Sequence, residues 1–432
     1  MIADLLEKTS TATTVRRLLP EPGTTRESFD DYLAAGGYAA ASWARTSVEL
    51  IDLVAASGLH GRGGAAFPTG RKLRAVAGQP GPRVVLINGA ESEPASRKDH
   101  ALLLTRPHLV IEGALLAARA VGSNDVILYV HDRALERAVD EARKELKRAG
   151  AKLPHWRTEV GPPGYVAGEA SAAIQWINRR SAKPTFKPPR THERGVAGRP
   201  TLVQNVETLA NLPLIAREGA AWFRAVGSDD APGTVLVTLS GAVRRPGVYE
   251  VATGTPLRAI LDELGGGTPN GVQALLPGGY FAGWLPGAAL REDLTLDPTS
   301  LRAAGADLGS AAITVIPDNV CGLWQAARLL RFFADESARQ CGACTFGTAA
   351  MADALERVAR GEARPDDLQR LHTYAERMLP GRGACGHLDG AAVAARTALG
   401  VFEDEIARHL RRGTCGRPEQ IVLPGLEGKH GR

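Results

Sequence analysis

The 432-residue sequence lacks several features that would assign it to a class of protein directly. Spanning a membrane needs about 20 consecutive apolar residues, but the longest apolar stretch, Leu109–Val121, is interrupted by Glu112 and Arg119. The N-terminal residues contain no apolar segment typical of a secretory signal, so we expect a cytoplasmic protein without a membrane span. The net charge of +5 is spread along the chain without a basic stripe and interleaved aromatic residues. We therefore expect no nucleic-acid partner.

Cysteine is absent from the first three quarters of the chain. The five cysteines all lie in the last quarter, at Cys321, Cys341, Cys344, Cys385 and Cys415. Such clustering is typical of one metal-binding module and not of scattered structural thiols. In the cytoplasm these thiols are expected to stay reduced.

The order of apolar patterns predicts three folded regions between a lead-in and a tail. Alternating strands and helices over residues 46–230 predict an open, mostly parallel α/β sheet. Residues 231–318 combine a hairpin with a short helix, which predicts a small α+β domain, and residues 319–410 are almost entirely helical in pattern. Residues 1–45 form a polar lead-in, and residues 411–432 are predicted to be a loosely ordered tail.

A loop of unusual glycine density begins at Gly58, directly after an apolar helix predicted over Val48–Ser57. Glycines permit positive φ and let backbone N–H groups approach an anion. Lys72 can add a point charge to a phosphate. The loop formally matches the dinucleotide fingerprint, but the match is weak because that fingerprint follows a strand. Either a phosphate cradle or a mobile glycine loop fits the pattern, and the density of glycine beside Arg62 and Lys72 favours the cradle.

Five segments in succession resemble the NADH-oxidising flavoprotein subunit of respiratory complex I and the flavin subunits of NAD-linked hydrogenases and formate dehydrogenases. They are the glycine loop, Asn88–Asp99, Gly164–Ala172, Lys187–Thr208 and the cysteine module. The resemblance spans roughly residues 45–410. It implies a Rossmann-like FMN domain (46–230), a ubiquitin-like β-grasp (SLBB) domain (231–318) and a helical bundle (319–410) with a [4Fe–4S] cluster.

The same resemblance implies an electron-transfer oxidoreductase, similar to NADH dehydrogenase (quinone), or a subunit of one. NAD(P)H would pass a hydride to FMN, and electrons would then move singly to the iron–sulfur cluster. A quinone-linked complex or a ferredoxin-like protein would accept them. The expected protein partners are a thioredoxin-like [2Fe–2S] subunit, a ferredoxin or another redox complex.

The resemblance also implies the site residues. Glu91 and Glu93 would be catalytic, with Glu93 facing the nicotinamide. The cofactor-binding residues would be Gly61, Arg62, Gly63, Gly64, Phe67, Lys72, Asn88, Ser92, Tyr165, Gly168, Glu169, Lys187, Gln204, Asn205 and Thr208. The cluster ligands would be Cys341, Cys344 and Cys385. Plain structural interpretations remain open for some of them: a solvated acidic loop, a surface lysine at Lys187 and a core aromatic residue at Phe67.

Several residues depart from the family pattern around the nicotinamide. Ala90 and Ala170 stand where the family has acidic residues, and Ala75 and Arg190 stand where it has aromatic residues that stack on adenine. Losing a stacking contact costs about 1–3 kcal/mol on nucleic-acid bases. We therefore predict weakened NADH use. Arg190 could instead meet the 2′-phosphate of NADPH, or no nicotinamide binds.

The cysteine module departs from the family at one ligand. Gly347 stands where the third thiolate belongs, whereas a [4Fe–4S] cluster normally takes four. Cys415 or His387 could complete the set, the cluster could be a three-iron form, or the site could hold tetrahedral zinc. Loss of the metal is a further alternative, and Cys321 is predicted to be a core thiol. The alternative functions are therefore a non-catalytic scaffold and a zinc-stabilised flavin sensor.

Overall fold

The computed structural model describes residues 15–290 and 293–427. The first 14 residues of the predicted lead-in and the last five of the tail lie outside the described residues. The described part of the lead-in is anchored to the second domain. The backbone N–H groups of Arg17, Leu18 and Leu19 all donate to Oε2 of Glu250, at 2.9, 2.7 and 3.0 Å.

The first region is a four-stranded parallel sheet packed between helices. Its strands are β1 (Val84–Asn88), β2 (Asp125–Val130), β3 (His155–Val160) and β4 (Thr201–Asn205). Its helices are α1 (Phe29–Ala34), α2 (Ala40–Ala44), α3 (Ser47–Ser57), α4 (Thr69–Ala77), α5 (Lys98–Thr105), α6 (Pro107–Val121), α7 (Arg133–Arg148), α8 (Ala170–Arg179), α9 (Val206–Glu218) and α10 (Ala220–Arg224). The strands β1 and β2 are almost continuously apolar, as expected for parallel strands buried on both faces.

The sheet reverses its direction of growth at β1. The strand order is β3-β2-β1-β4, so the chain moves from β1 through β2 to β3 and then returns to the other side of β1. Asn88 at the end of β1 lies in register with Asn205 at the end of β4. In open α/β sheets a crevice forms at such a reversal, outside the carboxyl ends of the strands, and ligands bind there.

The glycine loop is fixed between two helices. A capping box between Thr46 and Glu49 begins α3, and Gly58 ends it with φ 71°. The loop then leads into α4. Gly70 in α4 allows that helix to touch α3, since an added Cβ would lie 2.6 Å from the Cα of Ala55. A helix therefore precedes the loop, as predicted.

The second region is a mixed five-stranded sheet of order β6-β5-β9-β7-β8. The strands are β5 (Thr234–Gly241), β6 (Gly247–Ala252), β7 (Ala274–Leu276), β8 (Leu285–Pro286) and β9 (Ala312–Ile316). The short helix α11 (Leu257–Ala259) continues as a π-helical turn over Ile260–Leu264, and α12 (Pro298–Ala303) precedes β9. The hairpin β5–β6 is antiparallel and β5 pairs with β9 in parallel.

The third region is a helical bundle. It contains α13 (Gly322–Asp335), α14 (Thr348–Ala359), α15 (Asp367–Thr373), α16 (His387–Val401) and α17 (Glu403–Arg412), with π-helical turns at Ala343–Gly347 and Tyr374–Met378. The prediction of a loosely ordered tail is wrong for its described part. Leu423 and Leu426 are buried against the bundle, and the hydroxyl of Tyr280 donates to Pro424 O at 2.5 Å. Two apolar anchors and backbone hydrogen bonds supply the order that composition did not reveal.

Within the described residues, no single helix has the length and apolar character needed to cross a membrane. The consecutive helices α5 and α6 meet that requirement only when taken together, and they are bent by 98°. Both are largely buried within the first region.

Candidate flavin and iron–sulfur site

A cavity of about 350 Å³ opens at the reversal of the first sheet. Ligand pockets commonly enclose about 300–1,000 Å³. Its walls come from all three regions: the glycine loop and the loop after β1, Phe281 and Ser310 of the second region, and Phe333 and the Cys385–His387 segment of the bundle. Asn88 is held at the cavity edge by donating from Nδ2 to Gly168 O at 2.9 Å.

The glycine loop offers backbone donors to this cavity. Among the described residues, no hydrogen-bond acceptor lies against the N–H groups of Gly63, Gly64 and Ala65, which line it. Side chains are excluded here, because an added Cβ would lie 3.2 Å from Asn205 Cβ at Gly63 and 3.0 Å from Phe281 Cζ at Gly64. Gly64 also has φ +96°. Adjacent unpaired amides that face a cavity form an anion-binding concavity. The loop therefore fits the phosphate of a flavin nucleotide.

Arg62 and Thr208 shape the loop from behind. The Arg62 N–H donates to Thr208 Oγ1 at 2.8 Å, and the buried guanidinium donates to Pro232 O at 3.2 Å. Burial lowers the pKa of Arg62, and the nearby carboxylate of Glu207 opposes that shift. Thr208 thus holds the loop and does not itself line the cavity.

Lys72 is a buried cation without a carboxylate partner among the described residues. Its Nζ donates to Val203 O and lies 3.5 Å from Oε1 of Gln204, whose Nε2 has no hydrogen-bond partner. Burial, assisted by the charge of Lys187, lowers the pKa of Lys72 to about 8. A buried ammonium that lacks a counter-ion suits an anionic ligand. Lys72 and Gln204 lie beside the cavity and do not line it.

The two glutamates after β1 are held in different charge states. Glu91 accepts from the N–H groups of Asp99 (3.1 Å) and His100 (3.0 Å), and its Oε2 lies 2.8 Å from His100 Nδ1. Burial alone would raise the pKa of Glu91, but His100 and Lys98 hold it well below the usual range. Glu91 is therefore a fixed carboxylate that organises its loop.

Glu93 is buried with fewer favourable partners. It accepts from the Tyr280 N–H at 3.1 Å, and its Oε2 lies 3.2 Å from the hydroxyl of Tyr165. Burial raises its pKa to about 7, because these hydrogen bonds only partly offset desolvation. Glu93 can therefore hold or release a proton near neutral pH.

A buried charge network lies under the cavity and was not predicted from the sequence. Lys98 Nζ contacts Glu207 at 3.0 Å and Asp99 at 2.9 Å, and Asn205 Nδ2 donates to Asp99 at 2.6 Å. Lys98, Asp99 and Asn205 also line the cavity. The adjacent charges of Lys98-Asp99 were a visible signal, but Glu207 is more than 100 positions away in the chain. Only the fold brings them together.

The mouth of the cavity carries an ion pair. Glu169 caps α8 by accepting from Ser171 N at 2.7 Å and Ala172 N at 3.1 Å, and its other oxygen lies 3.3 Å from Lys187 Nζ. Lys187 is half-exposed and lines a neighbouring groove instead of the cavity itself. Phe67 is 42% exposed, with the guanidinium of Arg71 5.5 Å from its ring centroid. The interpretation of Phe67 as a core residue therefore fails.

The predicted cofactor and catalytic residues divide into two groups. Those that line the cavity are Arg62, Gly63, Gly64, Asn88, Glu91, Ser92, Glu93, Tyr165, Gly168, Glu169 and Asn205. Those that do not line it are Gly61, Phe67, Lys72, Lys187, Gln204 and Thr208. Phe281, Ser310, Phe333 and His387 line it without having been assigned to the flavin pocket, because they come from the other two regions.

Three thiols gather at one end of the bundle. Cys344 is buried, and Cys341 and Cys385 are half-buried. Burial raises the pKa of Cys344 and raises that of Cys385 to about 11, in both cases with a contribution from the Cys341 thiol. Such thiols are protonated at neutral pH, and a bound metal cluster would convert them to thiolates. The donor set fits three of the four ligands of an iron–sulfur cluster.

Gly347 cannot be supplemented by a neighbouring thiol. A Cβ added to Gly347 would lie 2.4 Å from Cδ2 of Leu379, so a leucine side chain fills the place of the third family thiolate. Cys415 lies with Cys321 and His409 instead. His387 lines the flavin cavity, donates from Nε2 to Phe333 O at 2.7 Å, and keeps a buried Nδ1 without a partner among the described residues. His387 as a fourth ligand stays a prediction.

The fold and site define a flavin- and iron–sulfur-binding protein of three domains, and comparison with known sequences agrees. Residues 54–214 match the Nuo51 FMN-binding domain, residues 236–279 the SLBB domain, and residues 324–409 the NADH-ubiquinone oxidoreductase-F iron–sulfur binding region. The predicted fold class and the cofactors FMN and an iron–sulfur cluster are thereby confirmed.

The particular family follows from full-length relatives. The chain is 36% identical over 403 residues to the second F-type subunit of NADH-quinone oxidoreductase of Rhizobium meliloti, covering 89% of this chain and 94% of the relative. It is 32% identical to the F-type subunit of the same enzyme of Aquifex aeolicus, covering 93% and 96%. The chain belongs to the family of F-type subunits of NADH-quinone oxidoreductase.

A solved structure gives the same result. The structure of an NAD⁺-reducing [NiFe]-hydrogenase in the air-oxidised state superposes with a TM-score of 0.78 at 30% identity. The match covers 84% of this chain and 63% of the hydrogenase chain. This protein thus spans less than two thirds of that chain.

Proposed function

We propose that this protein is an oxidoreductase subunit that takes electrons from NAD(P)H through FMN to an iron–sulfur centre within a multi-subunit redox complex. One observation carries the proposal: a single cavity is lined both by the glycine loop of the flavin domain and by Cys385 of the thiol set. A flavin held by that loop lies beside a cluster ligand. FMN supplies the conversion from two-electron to one-electron transfer. No feature of the described residues favours a purely structural scaffold.

The cavity residues bind and orient the cofactor in this proposal. The free amides of Gly63, Gly64 and Ala65 would hold the phosphate, with the charge of Lys72 behind them. Asn88 and Asn205, at the ends of adjacent strands, would fix the ribityl and ring end. Gly168 keeps room for the ring, because an added Cβ would lie 2.4 Å from Ser92 Oγ.

Glu93 and the mouth residues would receive the nicotinamide nucleotide. With a pKa of about 7, the Glu93 carboxyl can accept from or donate to a carboxamide, and Tyr165 fixes its orientation at 3.2 Å. Lys187 would meet the pyrophosphate by exchanging Glu169 for a phosphate oxygen. The exposed guanidinium of Arg190 lies on the loop of Lys187, where it would favour the 2′-phosphate of NADPH.

Anaerobic stopped-flow reduction of the FMN-loaded protein tests the proposal. We expect NADH or NADPH to bleach the flavin band, and Cys385→Ser to retain that reduction while losing electron delivery to the iron–sulfur absorbance. Glu93→Gln should slow reduction and remove its pH dependence near pH 7. A folded protein that stays colourless after incubation with excess FMN and desalting would contradict the function.

Arg190→Phe and Arg190→Ala separate the two nucleotides. If Arg190 recognises the 2′-phosphate, both variants should raise the KM for NADPH, and only the aromatic variant should lower the KM for NADH. Equal changes for both nucleotides would contradict this role. A cytoplasmic location, and a thioredoxin-like [2Fe–2S] subunit or a ferredoxin as the electron-accepting partner, belong to the same proposal.

A further inference from the structure

A second group of metal-ligating side chains lies outside the flavin and cluster site. Ligand atoms of Cys321, His409 and Cys415 all lie within 4.8 Å of one another, and the first two residues are buried. The proposed cluster thiols lie elsewhere: Cys321 directly precedes α13, whereas the Cys344 thiol lies 2.7 Å from Ser337, just beyond the far end of that helix. A 14-residue helix is about 21 Å long. The two thiol groups therefore occupy opposite ends of α13.

The distances within the group suit tetrahedral coordination. Nε2 of His409 lies 3.4 Å from Sγ of Cys321. Zinc–sulfur bonds of about 2.3 Å and zinc–nitrogen bonds of about 2.0–2.1 Å, meeting at the tetrahedral angle, separate the two donors by roughly 3.5 Å. The observed spacing is thus the spacing that one shared ion would impose.

His409 is poorly satisfied by the protein alone. It is 2% exposed, its Nε2 contacts only a thiol, and its Nδ1 has no hydrogen-bond partner among the described residues. Thiols are weak donors and acceptors, so little in the protein fixes this ring. An imidazole of this kind gains most from coordinating a metal ion.

The neighbouring charges also suit a cation. Oε2 of Glu405 lies 3.9 Å from Cys321 Sγ, and the Glu405 carboxylate is fixed by the Leu323 N–H at 2.8 Å and by Arg417 and Gln273 at 2.6 Å each. Burial raises the pKa of Cys321, and the charge of Glu405 raises it further. Two thiolates next to this carboxylate need a positive ion, and thiolate with imidazole is a donor set that zinc prefers.

We infer that Cys321, His409 and Cys415 bind a zinc ion that clips the C-terminal segment to the bundle, with solvent as the fourth ligand at the half-buried Cys415. On binding, the two thiols release their protons and form zinc–sulfur bonds, and His409 donates a nitrogen lone pair. The clip joins the start of α13, the last turn of α17 and the chain beyond it. The same segment is already docked by Cys321 N–H to Pro418 O at 2.8 Å and by Val422 N–H to Gln325 at 3.0 Å.

Metal analysis of the full chain tests this site independently of flavin and activity. We expect about one zinc per chain, retained in Cys344→Ser and lost in Cys415→Ser and His409→Asn. X-ray absorption at the zinc edge should show two sulfur neighbours at about 2.3 Å. A zinc chelator should lower the melting temperature of the wild type and Cys344→Ser and leave that of Cys415→Ser unchanged.

Circular dichroism first establishes that each variant is folded, and Cys415, being half-buried, is the safer substitution. Wild-type protein that contains no zinc after growth and reconstitution with zinc would overturn the inference. So would zinc that persists in Cys415→Ser and His409→Asn, or zinc that disappears only in Cys344→Ser, because the ion would then sit among the cluster thiols.

Discussion

At the scale of single residues, Glu91 and Glu93 show how two similar carboxyl groups acquire different charge states. Glu91 has two backbone donors and His100, whereas Glu93 is buried with a tyrosine hydroxyl and two backbone donors. The charge of His100 explains why the pKa of Glu91 is lowered, and its absence beside Glu93 leaves the pKa of that group raised. The sequence places both in one loop, but only the structure assigns a fixed charge to one and a titrating proton to the other.

The raised pKa of Glu93 predicts a pH-dependent stability. Because the folded value is about 7 and the reference value is 4.5, its contribution is fully present below pH 4.5 and is lost as pH rises through 7. We expect Glu93→Gln to gain stability relative to wild type over this window, by up to about 1.4 kcal/mol per pH unit. Urea unfolding of the flavin-free protein at pH 5 and pH 8 measures it. Glu91→Gln, the control, should lose stability at both pH values, and a constant difference for Glu93→Gln would contradict the assignment.

Gly347 gives a second prediction at this scale. Gly347→Cys should destabilise the bundle because its Cβ meets Leu379 at 2.4 Å. Leu379→Ala alone should cost about 2–5 kcal/mol as a cavity. The double variant should be less destabilised than the sum of the two, because the new thiol occupies the vacated space. Thermal unfolding and iron content of all three variants test this. Strict additivity would show that Leu379 does not fill the missing ligand's place.

At the scale of elements, long periodic segments were predicted well and short ones were not. The predicted α6, β2 and α7 coincide with the structure, since each has a strong pattern and clear end signals. The strands β3 and β4 were missed. The first, HWRTEV, is a partly exposed edge strand, and the second lies within a segment rich in glycine, proline and arginine that reads as loop. Pairing with β2 and β1 stabilises them, and such pairing is not visible in local sequence.

The contact of α6 with α9 predicts an element-scale effect on the site. A Cβ at Gly113 would lie 2.0 Å from Leu209 O, so Gly113→Ala must push α9 away. We expect a loss of about 1–3 kcal/mol and weaker FMN binding, because Asn205 and Glu207 stand at the start of α9. Chemical unfolding and flavin titration measure both. Gly400→Ala, in open space within α16, is the matched control and should stabilise by up to about 1 kcal/mol; equal behaviour of the two variants would contradict the packing argument.

At the scale of the whole molecule, the cavity depends on the arrangement of all three domains. The sequence identified the glycine loop, the strand ends and the thiols, because each lies in a local motif. It did not identify Phe281, Ser310 or Phe333, which approach the flavin domain only through tertiary packing. The buried pairing of Lys98 with Glu207 belongs to the same class, since long-range ion pairs leave no local pattern.

This shared cavity predicts that FMN stabilises the molecule as one unit. A ligand that binds only the folded state at 100 times its Kd adds about 2.7 kcal/mol. Because Gly63, Phe281 and Cys385 line one cavity, unfolding any one domain removes part of the site. Calorimetry with saturating FMN should therefore raise the melting temperature of every transition. Riboflavin, which lacks the phosphate, should produce a much smaller shift because it cannot engage the free amides of the glycine loop. If FMN shifted only one transition and left the bundle's melting temperature unchanged, the flavin would be bound by the first domain alone, and the direct path from flavin to Cys385 would lose its structural basis.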